Sequence, residues 1–181
     1  MKLIRSLFAA ALGLCLSYGS WAAESAPAAT AKPKNWTPPA AKIRAQVLAE
    51  QILAGHPELI SVTLHGVPPG LDKVYTMFAG TFPNRIGNAD DPDDVDVITK
   101  GITIVDPRWN KKDAVKKFVM MLPLRDAAGA HRGLLVLAYK YPSEVAKTET
   151  DFFVAASAVR DALAKQIPAY ADLFKPADRV N

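Results

Sequence analysis

Apolar residues at Ala45, Leu48, Ala49, Ile52 and Leu53 recur at the i, i+3, i+4, i+7, i+8 spacing of one helical face, and Gly55 with Pro57 ends the run. The pattern predicts an amphipathic helix over 40–54. The period then shortens. Ile60, Val62 and Leu64 alternate with Ser61, Thr63 and His65, the two-residue repeat of a strand over 59–66 with one apolar and one polar face. A Val67-Pro68-Pro69-Gly70 turn leads into a second strand over 73–79. Asp91-Pro92-Asp93-Asp94 supplies a capping acid, a proline at the first helical position and acids in the first turn, and Gly101 supplies a stop. That arrangement predicts a short helix over 92–100, with a third strand over 102–105.

Residues 117–124 and 132–141 flank Arg125-Asp126-Ala127-Ala128-Gly129-Ala130-His131, which reads as a hairpin with a glycine in its turn. Both strands are apolar at nearly every position. Such a sheet is covered on both faces, one of which can hold a ligand pocket. Thr148 with Asp151 has the spacing of a capping box, and Phe152, Ala156, Val159, Leu163 and Ile167 form the stripe of a final helix. The order helix, two strands, short helix, three strands, helix predicts an α+β fold with an antiparallel sheet.

The ends carry different patterns. Residues 1–22 have the form of a secretory signal peptide: Lys2 and Arg5 first, an apolar centre from Leu7 to Leu16, and Ser20-Trp21-Ala22 as a small-x-small cleavage site. The apolar centre is shorter than the ~20 residues that span a bilayer, so no transmembrane segment is expected in the mature chain. Lipidation at Cys15 is disfavoured because Leu14 is not small. Residues 23–40, with Pro27, Pro33, Pro38 and Pro39, predict a flexible Ala/Pro-rich tether. The folded domain is placed at 41–169 and a loosely docked C-terminal tail at 170–181.

Composition narrows the chemistry. The 181 residues include 14 prolines, 10 glycines and one cysteine, and half are apolar, the profile of a single globular domain. The only cysteine lies in the expected signal, so disulfides, thiolate metal sites and a cysteine nucleophile are excluded from the mature protein. Lys2 and Arg5 supply two of the +4 formal charges, which leaves too small a field for nucleic acid.

The helix entering His56-Pro57-Glu58, the strand Ile60–His65, Asn84-Arg85-Ile86-Gly87, the run Leu122-Pro123-Leu124-Arg125-Asp126-Ala127-Ala128-Gly129 and the strand from Arg132-Gly133-Leu134 to Tyr141 together resemble the single Cache domain, the PAS-like extracytoplasmic sensor module of bacterial receptors. The resemblance covers about residues 40–165. It implies a five-stranded antiparallel sheet with a long N-terminal helix on one face, a small-molecule pocket under a loop-and-helix cap on the other, and a sensory role. Family members usually sit between two membrane helices and drive a cytoplasmic output domain, whereas here a cleavable signal stands alone. A separate membrane receptor or transducer protein would therefore read the domain's state.

Candidate contacts follow. Strand alternation puts His65 on the Ser61/Thr63 face, where it contacts a ligand if that face looks into the pocket and is structural if it does not. Arg85, opening the cap after Phe82-Pro83-Asn84, can grip a carboxylate in bidentate fashion or pair with the nearby acids. Tyr75, Trp109 and Tyr139 supply aromatic surface of the kind pockets use, and equally of the kind cores use. Asp90, Asp91, Asp93, Asp94 and Asp96 lack the spacing of a calcium loop, and cap and dipole explain Asp91, Asp93 and Asp94 directly, so no metal site is expected. Arg108, Lys111, Lys112, Lys116 and Lys117 form a basic patch, read as a solvated turn or a docking surface.

No nucleophile–base motif, phosphate loop or dinucleotide fingerprint occurs, and Ser61, Ser143 and Ser157 have ordinary structural explanations. The expectation is a periplasmic or secreted, non-enzymatic domain that binds a small anionic molecule, such as an organic acid or amino acid, with no cofactor. The alternatives are a periplasmic protein–protein adaptor with no small ligand and, third, an uncharacterised hydrolase.

Overall fold

In the computed structural model, which describes residues 32–108, 115–141 and 147–177, the segments of period two pair into one sheet. Its strands are β1 (Leu59–Gly66), β2 (Thr76–Gly80), β3 (Ile104–Pro107), β4 (Lys117–Arg125) and β5 (His131–Lys140). They lie in the order β2-β1-β5-β4-β3, and every pairing is antiparallel. The helices are α1 (Arg44–Gly55), α2 (Pro92–Lys100) and α3 (Glu149–Ala164). The α+β, PAS-like arrangement of a five-stranded antiparallel sheet is therefore what the chain adopts. The expected signal peptide, Cys15, Trp109, Lys111, Lys112 and Ser143 lie outside the described residues.

Alternation sorts the sheet into two faces. Val62 and Leu64 of β1 pair with Leu137 and Leu135 of β5, and these four belong to the main core with α1, α3 and β4 side chains. Phe118 stacks on Phe152 of α3 with ring centroids 4.2 Å apart. Each such fully buried side chain contributes on the order of 1.5–3 kcal/mol. The opposite face carries Ser61, Thr63 and His65 beside Ala138, Val136 and Leu134. Here a smaller apolar cluster of Val119, Met121, Leu134 and Ala138 packs on Val97 of α2. Val97 is the one fully buried side chain of that helix.

Local signals place the helix ends. Asp91 N–H donates to Asp94 Oδ2 at 3.1 Å, and Gly101 closes α2 in the left-handed region at φ 67°. Thr148 Oγ1 accepts from Asp151 N–H at 3.2 Å at the start of α3. Other boundaries shift for tertiary reasons. Helix α1 begins at Arg44 because Ile43 is extended and bridges Pro176, and strand β2 begins at Thr76 because Lys73 has φ 56°, a left-handed residue that a strand cannot hold.

Both ends of the described domain are fastened more tightly than their composition predicts. Within the stretch expected to be a tether, Asn35 N–H donates to Gly87 O at 2.9 Å, Ala89 N–H donates to Pro33 O at 3.1 Å, and Trp36 meets Phe174 edge-on at 6.2 Å. The expected loose tail is corrected as well. Tyr170–Phe174 forms a 3-10 turn whose Leu173 is fully buried, and Tyr170 and Phe174 pack against Phe78. Burial of three large side chains offsets the entropy of ordering so short a segment.

The hairpin between β4 and β5 is organised by Asp126. Its Oδ1 accepts from Ala128 N–H at 3.0 Å and Ala130 N–H at 2.9 Å, while Oδ2 takes Arg132 Nε at 2.6 Å. The Arg132 hydrogen bond, more than the two backbone N–H groups, holds this buried carboxyl below the ordinary aspartate range.

Candidate functional site

Strand β1 ends in a register irregularity between Leu64 and His65, which leaves the imidazole on the cap-side face. The acid that meets it arrives along an extended segment beside β2, where Gly87 N–H donates to Met77 O at 2.8 Å, Met77 N–H to Asn88 O at 3.1 Å and Asp90 N–H to Tyr75 O at 3.1 Å. This ladder aims Asp90 inward one residue before the capping Asp91. Asp90 Oδ1 then lies 2.7 Å from His65 Nδ1, and Thr63 Oγ1 lies 2.7 Å from His65 Nε2. The Asp90 side chain is 1% exposed, and its Oδ2 has no hydrogen-bond partner among the described residues.

Asp94 completes the group. One ligating atom from each of His65, Asp90 and Asp94 falls within 4.8 Å of the others. Burial raises the Asp94 carboxyl above the ordinary aspartate range, and the Asp90 and Asp93 charges add to the rise, while His65 and the Asp91 N–H oppose it. Tyr170 closes the neighbourhood: its hydroxyl donates to Val67 O at 3.0 Å, and burial first, then the Asp90 charge, pushes its phenol upward.

Hydroxyl, imidazole and carboxylate in a row is also the order of a nucleophile–base–acid relay. Acyl transfer needs, in addition, backbone N–H donors free to hold an oxyanion. Thr63 sits inside a strand paired on both sides, opposite Gly80 of β2 and Val136 of β5, and it is buried. Its own backbone is committed to the ladders.

The residues singled out from the sequence separate in space. His65 is at the centre of the group. Arg85 is exposed, its guanidinium 4.7 Å from the centroid of the Phe82 ring, and it makes no ion pair with the acids of α2 among the described residues. Asp91 is paired with Lys32 instead, and Asp96 with Lys100 at 2.8 Å. Tyr75 is half-buried and contributes its carbonyl, which accepts from Asn35 Nδ2 at 2.9 Å. Tyr139 points to the other side of the sheet, its ring 5.3 Å from that of Phe152, and is a core residue rather than a neighbour of His65. Trp109 lies outside the described residues. In the basic patch, Arg108 Nε pairs with Asp106 at 2.6 Å.

Two clefts open beside α1. One, of about 350 Å³, is lined by Gln46, Glu50, Leu53, Ala54, Gly80, Thr81 and Pro83. The other, of about 200 Å³, lies between α1 and α3. Neither is lined by a residue chosen from the sequence. Under the cap, Val119, Met121, Leu134 and Ala138 pack around Val97.

Asp90 is the residue that sequence reasoning passed over. A signal was available: capping explains Asp91, Asp93 and Asp94, and Asp90 precedes the cap with no helical duty.

No protein-family model matches the chain, and no curated protein matches it. Solved structures with a similar chain path are a type II free methionine-R-sulfoxide reductase from Thermoplasma acidophilum, 14% identical over 71% of this chain and 90% of that one with a TM-score of 0.47, and the GAF domain of a two-component sensor histidine kinase from Bacillus halodurans, 12% identical over 67% and 91% with a TM-score of 0.45. A third is the PixJ GAF domain of Thermosynechococcus elongatus in its blue-light absorbing form, 16% identical over 67% and 85% with a TM-score of 0.41. The last two are GAF domains, and the reductase activity is the first protein's own.

Proposed function

We propose that this is an exported, non-enzymatic sensor-like domain of the Cache type, which binds a small molecule between sheet and cap and relays its state to a separate protein. The observation that carries the reading is the polar row Ser61, Thr63 and His65, buried with Asp90 beneath a cap whose helix buries a single side chain fully. Buried polar groups cost free energy unless hydrogen-bonded, and Asp90 Oδ2 has no partner among the described residues. A cap held by so few apolar contacts is the part of the domain that opens at least cost. The signal-like residues 1–22 support export. Among the described residues no helix is long and apolar enough to cross a membrane.

Charge constrains where a small anionic ligand can place its carboxylate. Carboxylates at Asp90 and Asp94 repel an anion at the cluster itself, so the carboxylate of an organic acid or amino acid is assigned to Arg85, whose guanidinium has no acid partner among the described residues. A thermal-shift screen of organic acids and amino acids on the mature domain tests the reading. A ligand at 100 times its dissociation constant adds about 2.7 kcal/mol, a rise of about 5–10 °C for a domain of this size. Absence of any shift overturns the ligand, and turnover in an esterase, phosphatase or glycosidase panel overturns the non-enzymatic assignment.

A further inference from the structure

The geometry points to a divalent first-row transition-metal site, of the kind that takes Zn²⁺, formed by His65, Asp90 and Asp94 where the end of β1, the segment beside β2 and the start of α2 meet. It goes beyond the small-molecule reading and does not depend on it.

Three features combine. The ligating atoms converge within 4.8 Å from three separate elements, and tetrahedral zinc ligands stand about 3.4 Å apart, so a side-chain adjustment of about 1 Å closes the set. The Asp90 carboxylate, 1% exposed, keeps an oxygen that no described residue satisfies, an arrangement that costs free energy unless a cation or donor meets it. The imidazole is already oriented. Nδ1 stands 2.7 Å from Asp90 Oδ1, on the side of the carboxylates, while Nε2 stands 2.7 Å from Thr63 Oγ1, the outer hydrogen bond that typically fixes a metal-bound histidine.

Asp94 has the freedom the site needs. Its Oδ2 accepts from Asp91 N–H at 3.1 Å, and its second oxygen makes no hydrogen bond among the described residues. One nitrogen and two carboxylates suit a transition ion better than Ca²⁺, which takes six to eight oxygens. A bound ion would tie the cap helix to the sheet.

The experiment uses the untagged mature chain, stripped with chelator and titrated with Zn²⁺ by calorimetry, alongside Asp90→Asn, Asp94→Asn and Asp93→Asn. The expected result is one Zn²⁺ per chain, weakened at least tenfold by Asp90→Asn and by Asp94→Asn and unchanged by Asp93→Asn. Asp91, Asp93 and Asp94 form a second, exposed acidic group, so equal weakening by Asp93→Asn would move binding to that surface and overturn the site. Because a buried variant can fail to fold, ¹⁵N spectra of the wild-type histidines give an independent reading. Zn²⁺ should shift Nδ1 of His65 and leave His56 and His131 unchanged; a shift at either of those, or at none of the three, overturns the assignment.

Discussion

His65 and Asp90, 25 residues apart in the chain, meet at 2.7 Å beneath the cap. The contact joins the end of a central strand to the entry of the cap helix. Their side chains are 10% and 1% exposed, so solvent does little to replace the interaction if it is lost. In a double-mutant cycle of His65→Gln and Asp90→Asn under metal-free conditions, each single change should cost about 2 kcal/mol by urea unfolding, with a coupling above about 1 kcal/mol. Additive losses would show that the pair is adjacent without interacting.

Arg85 separates ligand binding from stability. Its described contact is a cation–π stack on Phe82, 4.7 Å from the ring centroid, worth about 0.5–1 kcal/mol at an exposed site. Arg85→Lys should leave the melting temperature of the empty protein nearly unchanged while weakening a carboxylate ligand about tenfold, since the charge stays and the bidentate fork goes. Unchanged affinity for a ligand found in the screen would remove Arg85 from the site.

Tyr139 makes the opposite case. Its hydroxyl is buried without a partner among the described residues, and burial pushes the phenol well above its usual range. Tyr139→Phe should therefore leave stability unchanged or raise it by up to about 1 kcal/mol, with no effect on ligand shifts. A loss of ligand response would return Tyr139 to the pocket.

Gly87 admits the N-terminal segment. It has φ +87°, and a Cβ there would overlap the carbonyl oxygen of Trp36. Gly87→Ala combines a left-handed penalty of about 1–2 kcal/mol with a clash against backbone, so a loss of at least about 2 kcal/mol is expected in urea. Limited proteolysis should then cut within residues 33–36 before the rest of the domain. Wild-type resistance in that segment would show that its docking tolerates the side chain.

Asp126 sets an acid limit. The Arg132 hydrogen bond holds its folded pKa below the unfolded value, so its contribution is fully present above about pH 4 and is lost as pH falls through the folded value. Asp126→Asn should lower the melting temperature at neutral pH, and the gap from wild type should narrow as pH drops below about 4. A gap of constant size across that range would assign the effect to hairpin geometry alone.

What the sequence determined by itself was local. Periodicity and cap signals together marked the five strands and the three α-helices to within a few residues, with Asp91 and the Thr148–Asp151 pair announcing helix starts, because caps and alternation depend on neighbours a few positions away. The PAS-like order of elements was readable for the same reason, and the expectation of export rests on residues 1–22 alone. Tertiary structure decided the rest. Strands β4 and β5 are apolar at almost every position, so period two could not say that Tyr139 faces α3 and not the cap; only the pairing with Phe118 and the packing on Phe152 does. Tyr170, Leu173 and Phe174 are too few to show a helical or strand pattern, yet the core accepts all three. Asp90 looked like one acid in a run of five. It became the partner of His65 only when the segment beside β2 turned it inward, since a hydrogen bond across 25 residues leaves no periodic mark in the chain.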